Sequence, residues 1–258
     1  MELQANRFPE LEDVLKALND DEASCSVGVS WEPVQLYELT PPDFLSFAKQ
    51  DLEEGSGRGR LNGISNARRA IACRVDEILT LTGFRSFMSR DRWGLPYKLE
   101  VIKKLGCSAP PVLRQYIASR RNEMEHEYRR PPDEEGVRYV ADIAELFLKA
   151  TDEYVARGRM RSVTVVVKEQ EERQAERWRE TVVVYKGVLS LYFDLERDEL
   201  KLTSSRSAET TVHNLRNHSV SVQEKCLSEP ITRTLGLADC DKRELVDLVR
   251  IVWERSRR

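Results

Sequence analysis

Histidine is scarce in this chain: 3 among 258 residues, at positions 126, 213 and 218. Cysteine is not plentiful either. The 5 cysteines (Cys25, Cys73, Cys107, Cys226 and Cys240) are odd in number and widely separated. They never take the spacing of a zinc knuckle or a redox pair, which reads as free, mostly buried thiols. No apolar run approaches the roughly 18 residues that span a bilayer, and the mean hydropathy is -0.53. The start, "MELQANRFPELEDVLKAL", has no basic segment leading into an apolar one, so no signal peptide is expected. A cytoplasmic address and no membrane partner follow from these absences. Internal repeats are missing too. "GSGRGRLNG" lacks the lysine, the hydroxyl and the preceding strand of a phosphate-binding loop.

What the chain does have is charge, at 33% of its residues, with a net value of only -3. That balance argues against coating nucleic acid through overall charge. The distribution is uneven. From Ser56 to Arg130 there are 16 Lys or Arg against 7 Asp or Glu, between acidic flanks. A basic middle of this kind suits a polyanion, and it also suits an arginine-rich helical surface.

The hydrophobic period divides the chain. Residues 1–40 read as an N-terminal arm, with a helix over 9–19 and a strand in "SCSVGVSW". From residue 41 the period is helical. "PPDFLSFAKQDLEE" opens on proline and carries Phe44, Leu45, Phe47, Ala48 and Leu52. "EEGSGRGRLNG", residues 53–63, reads as a flexible loop that can bring Arg58 and Arg60 to phosphate. Ile64, Ala67, Ile71, Val75, Ile78, Leu79 and Thr82 then recur at three- and four-residue steps, with Ser65 or Asn62 as N-cap and Gly83 at the end. Arg68, Arg69 and Arg74 are expected to project from the flanks of that helix.

"YKLEVIKKLG" predicts a short helix closed by Gly106, and "SAPPVLRQYIASRRNEMEHEY" a longer one ended by Pro131 and Pro132. A further helix places Val137, Val140, Ala144, Phe147 and Leu148 on one side, with acids in its first turn. Residues 41–157 are therefore expected to form a helical bundle. After Gly158 short segments rich in Val, Leu, Tyr and Thr take over. "LYFDLERDELKLT" reads as a hairpin, "HNLRNH" as a polar turn and "CDKRELVDLVRIVWERSRR" as an amphipathic helix. The expected fold class is α+β, with residues 158–258 a smaller, mainly antiparallel β domain.

The chemistry concentrates in "RRNEMEHEYRRPP". On an ideal helix Asn122 and His126 share a face, while Arg121 stands about 140° around from His126. A histidine near its ordinary pKa exchanges protons at neutral pH, an arginine holds phosphate through two donors, and an asparagine orients either. These are tools of metal-independent RNA cleavage, in which the ribose 2′-hydroxyl attacks its own phosphate and leaves a 2′,3′-cyclic phosphate. Base and acid are both needed, and the bundle holds one histidine. A second chain across a twofold axis is the simplest source of the other. The spacing equally suits a histidine flanking a helix C-terminus, where a cation is favourable. Glu123, Glu125 and Glu127 scatter around the helix and form no metal site.

This stretch, with the proline break and the amphipathic helix after it, resembles the HEPN domains, whose motif is an arginine, a polar residue and a histidine four to six residues on. "NARRAIACRVDEIL" is similar to the second helix of such domains. The resemblance covers about residues 41–157 and leaves the two flanks unmatched. It implies a metal-independent endoribonuclease, a hydrolase-type nuclease with no cofactor, acting as a homodimer in a toxin-antitoxin or antiviral defence setting. Arg121 and His126 would be its catalytic pair and Asn122 the polar neighbour. Arg68, Arg69, Arg120 and Arg129 would bind RNA, and residues 158–258 would receive a regulatory protein or antitoxin. "RNEMEHEY" also matches the pattern of the subgroup in which a tyrosine is modified, which marks Tyr128. The same tyrosine suits packing at i+4 from Met124. Other HEPN domains only dimerise or bind RNA or nucleotides, and that scaffold role is the alternative.

Overall fold

A computed structural model describes residues 11–19, 24–107, 113, 133–175, 178–194, 197, 199–205, 207–214, 219–226 and 231–256. The fold is α+β and divides into two compact units, residues 32–159 and residues 1–31 with 160–258.

The helical unit contains α2 (Pro41–Glu53), α3 (Gly57–Leu81), α4 (Arg85–Arg90), α5 (Leu95–Lys104) and α6 (Glu134–Ala156). Thr40 opens α2 in a capping box, its amide donating to Asp43 Oδ2 at 2.8 Å. Asp133 caps α6 through the amide of Gly136 at 3.0 Å. α2 and α3 run antiparallel: Gly59 stands beside Asp51, Gly63 beside Ala48, and Asn66 Nδ2 donates to Asp51 Oδ2 at 2.7 Å. α6 runs parallel to α3, since Gly63 faces Val137 near the start of both helices and Arg74 reaches Asp152 near the end of α6. Leu52, Ile64, Val137 and Ala141 close the core where the three meet. Burying each such leucine or isoleucine contributes about 1.5–3 kcal/mol.

Two sequence expectations change here. Residues 57–63 are the first turns of α3, not a loop, and the N-cap is Ser56, whose hydroxyl accepts from the Gly59 amide at 2.8 Å. The reason is packing. A Cβ on Gly59 would stand 2.2 Å from the Asp51 carbonyl oxygen, so the glycines let two helices approach where they had looked like chain flexibility. Arg74, expected on a solvated flank, is 4% exposed. Its guanidinium lies 3.1 Å from Glu77 and 2.9 Å from Asp152, which makes it a charged tie between α3 and α6.

The second unit holds α1 (Leu11–Asn19), β1 (Ser24–Glu32), β2 (Arg159–Ala175), β3 (Trp178–Asp194), β4 (Glu199–Ser205), β5 (Ser207–Asn214), β6 (Ser219–Cys226), β7 (Ile231–Gly236) and α7 (Lys242–Arg255). The seven strands form one sheet in the order β1-β2-β3-β4-β7, with β5 paired to β3 and β6 to β5. β3 is long enough to serve two neighbours. Val188 to Asp194 pairs antiparallel with β4 and Thr181 to Val184 with β5. Its pairing with β2 shifts register at Val167/Lys168, between those stretches, where a bulge sharpens the twist. Val163, Leu191 and Leu202 form a buried cross-strand row, while Tyr192 one residue on is 49% exposed, so one face of this part of the sheet is apolar and the other polar. Trp253 of α7 meets Trp31 of β1 edge to face at 5.4 Å, and Arg255 donates to the Leu18 carbonyl of α1.

The expected arm is thus not separate. β1 pairs with β2, and α1 buries Val14 and Leu18 in the same unit, which makes the β-rich part similar in length to the helical one and not smaller. His213 and Asn214, read as part of a polar turn, stand on β5, with His213 opposite Thr181. His218 lies outside the described residues.

Candidate functional site

Of the residues singled out in the sequence, Arg120, Arg121, Asn122, His126, Tyr128 and Arg129 lie outside the described residues. Arg68 and Arg69 are described, both on α3, and they differ. Arg68 is half-buried, whereas Arg69 is exposed and donates to Asn66 Oδ1 at 3.1 Å. Asn66 in turn donates to Asp51, so Arg69 is oriented at one remove by a carboxylate it does not contact. No carboxylate pairs with it among the described residues.

Arg69 stands on the wall of a cleft of about 640 Å³. Leu36, Tyr37 and Leu39, from the chain entering α2, line it together with Phe44 of α2 and Ala72, Cys73 and Asp76 of α3. The helical period explains its floor: Arg69, Ala72, Cys73 and Asp76 recur at three- and four-residue steps and face one way. Asp76 is held by Lys98 of α5 at 2.7 Å. The remaining charges are Arg69 and Glu38.

The acidities tell what the cleft does. Burial pushes the Cys73 thiol up to about 12, helped by the carboxylates of Glu77 and Asp76. Burial also raises the Tyr37 hydroxyl, although a hydrogen bond with Thr80 opposes it. Both groups are protonated at neutral pH and serve as hydrogen-bonding walls, not nucleophiles. Cys107 is likewise held at about 12, by burial first. Among the described residues no three His, Cys, Asp or Glu side chains gather as a metal site would require. None of the helices there is long and apolar enough to cross a membrane. The cleft is built to bind.

The apolar wall of residues 36–39 was assigned to the arm in the sequence reading. The signal available was "VQLYEL" immediately before the Thr40 cap, an apolar stretch too close to α2 to belong elsewhere. No family model matches the chain, no curated protein is similar to it, and no solved structure matches it.

Proposed function

We propose that the protein is a metal-independent endoribonuclease of the HEPN type. One observation carries the reading: the spacing Arg121-Asn122-x-x-x-His126 just ahead of the Pro131-Pro132 break, in a chain with so few histidines. The helical unit supports it more coarsely, since α6 follows the prolines directly and α3 carries the exposed Arg69 on a binding cleft.

In this reading one imidazole takes the proton from the ribose 2′-hydroxyl and the oxygen attacks the adjacent phosphorus. The bond to the 5′-oxygen breaks, and that oxygen leaves with a proton from the second imidazole. The two imidazoles are His126 and its copy in a homodimer. Arg121 neutralises charge on the phosphate oxygens and Asn122 orients the pair. Arg68, Arg69, Arg120 and Arg129 lead RNA to the site. The sheet unit receives a regulator, in a toxin or antiviral defence setting in the cytoplasm, and Tyr128 is the position for a silencing modification. A non-catalytic scaffold that dimerises and binds RNA or nucleotide is the second reading, favoured by a cleft whose thiol and phenol are both protonated.

Total RNA incubated with the purified chain in EDTA separates the two. Cleavage to products ending in 2′,3′-cyclic phosphate is expected. His126→Ala and Arg121→Ala should each lower the rate by about 10²-fold or more, with dimer mass and helical circular dichroism unchanged. RNA left intact by the wild type, or products with free 3′-hydroxyls, would overturn the proposal.

A further inference from the structure

Five helix ends among the described residues turn into the left-handed backbone region, and four of them use glycine. Gly55 follows α2 at φ +66°, Gly83 follows α3 at +91°, Gly106 follows α5 at +89° and Gly158 follows α6 at +82°. The fifth, after α4, is Arg92 at φ +50°. Its turn is made like the others. The Trp93 amide donates to the Met88 carbonyl at 3.2 Å, as Phe84 does to Leu79 at 2.8 Å after α3 and Cys107 to Ile102 at 3.0 Å after α5. All three are the same six-to-one closure, for which glycine is the unstrained choice because a Cβ crowds the backbone there. Arginine at this point makes the fold less stable than glycine would. Nothing described in the fold compensates, because Arg92 is exposed and its side chain has no hydrogen bond or ion pair among the described residues.

The neighbourhood shows what the guanidinium is for. From Arg85 to Lys104 the chain carries six cations and two acids, within a protein of net charge -3. Asp91, the nearest acid, is occupied by Arg90 at 2.9 Å and by the Trp93 indole at 3.3 Å. Arg85, Lys103 and Lys104 are exposed. An aromatic ring stands among them: Tyr97 is 46% exposed and meets Trp93 edge-on, with centroids 4.8 Å apart. Trp93, 8% exposed, is itself stacked on Phe87, so Tyr97 rests on a rigid aromatic base. Lys104 lies two helical turns beyond Tyr97 on the same stripe of α5. Cations that follow a phosphate backbone, set beside a propped ring with a free face, are the elements of a single-strand nucleic-acid surface.

We propose that the α4–α5 turn is a second RNA-contact surface, in which Arg92 and Arg85 hold backbone phosphates and Tyr97 stacks a base. The inference rests on the reading of the protein as one that acts on RNA. It does not involve Arg121 or His126, and it takes single-stranded RNA in preference to duplex.

The test uses the full chain and a fluorescein-labelled 12-nucleotide RNA that is 2′-O-methylated throughout, so that binding is read without cleavage. Anisotropy titrations are run at 50 and 200 mM salt. Arg92→Gly is expected to weaken binding severalfold and to lower the slope of log K against log salt by about 0.7, the loss of one phosphate contact. Tyr97→Leu, which keeps an apolar contact on Trp93, should weaken binding by about fivefold or more with the slope unchanged. Melting of Arg92→Gly is the discriminating control, since relief of the turn should raise Tm by about 2 °C.

A wild-type affinity retained by Arg92→Gly overturns the inference, and so does a lowered Tm, which would show that the arginine holds the fold. Equal affinity for a duplex DNA of the same length, with no effect of Tyr97→Leu, would reduce the surface to unspecific cation binding and also overturns it. Failure of the wild type to bind any RNA removes this surface and the nuclease together. Cleavage that depends on His126, with binding indifferent to Arg92, removes this surface alone.

Discussion

Replacing Gly59 by alanine gives opposite results depending on whether residues 57–63 are a loop or the packed start of a helix. In a loop or an exposed helix, alanine for glycine stabilises by about 0.5–1 kcal/mol, because it restricts the unfolded chain. At Gly59 the added Cβ would stand 2.2 Å from the Asp51 carbonyl oxygen and 3.1 Å from Glu54 Cβ. The first contact is with backbone, so α2 and α3 must part by about 1 Å, and such overpacking costs about 1–3 kcal/mol. Subtracting the intrinsic gain leaves a net loss of about 1–2 kcal/mol.

Gly57, two residues earlier in the same turn, is the control. Its nearest neighbour is the flexible tip of Arg60 at 3.9 Å, so Gly57→Ala should stabilise by about 0.5 kcal/mol. Urea unfolding followed by far-ultraviolet circular dichroism should separate the two midpoints by roughly 2 kcal/mol at a common slope. Gly59→Ala as stable as Gly57→Ala would refute the packed helix start and restore the loop.

Two further outcomes follow from side chains and turns elsewhere. Gly158 combines φ +82° with a Cβ position 2.2 Å from the Glu32 carbonyl oxygen and 2.9 Å from Pro33 Cα, whereas Gly55 at φ +66° has open space. Gly158→Ala should therefore lower Tm well beyond the effect of Gly55→Ala, which bears only the conformational cost of about 1–2 kcal/mol. Glu145 is held down to about 2 by hydrogen bonds from Lys149 and Lys49. Its folded pKa lies below its unfolded one, so its contribution is present above about pH 4.5 and fades as pH falls toward 2. Glu145→Gln should melt slightly below wild type at pH 7 and level with it near pH 2, with the gap reduced by salt because the pair is solvent-screened.

The chain's local signals were legible residue by residue where one physical requirement dominated. Ile64, Ala67, Ile71, Val75 and Ile78 recur at helical steps, and all are buried in α3. Val137, Val140, Ala144, Phe147 and Leu148 do the same in α6. Gly59 and Gly63 were misread because glycine has two uses, freedom of the chain and closeness of approach, and only the presence of α2 decides between them. Arg74 was misread for a related reason: its partner Asp152 is 78 residues away, and no local pattern announces a charge that will be buried against so distant a carboxylate. In the candidate site, the exposure of Arg69 and the paired state of Asp76 depend on Asn66 and Lys98, each contributed by the folded neighbourhood. The Arg121–His126 spacing is a property of sequence alone and entered as one.

Sequence by itself determined the change from helical to alternating period near residue 158, the helix ends marked by Gly83 and Gly106, the basic middle and the motif spacing, because each depends on neighbours within a few residues. Tertiary structure alone decided that residues 11–31 join the sheet, that Arg74 is a buried tie, that two glycines are contact surfaces and that Arg92 occupies a glycine's turn. Those outcomes depend on which distant backbone or carboxylate arrives at a given side chain, and burial changes the free energy of a charge or a missing Cβ by more than any local propensity does.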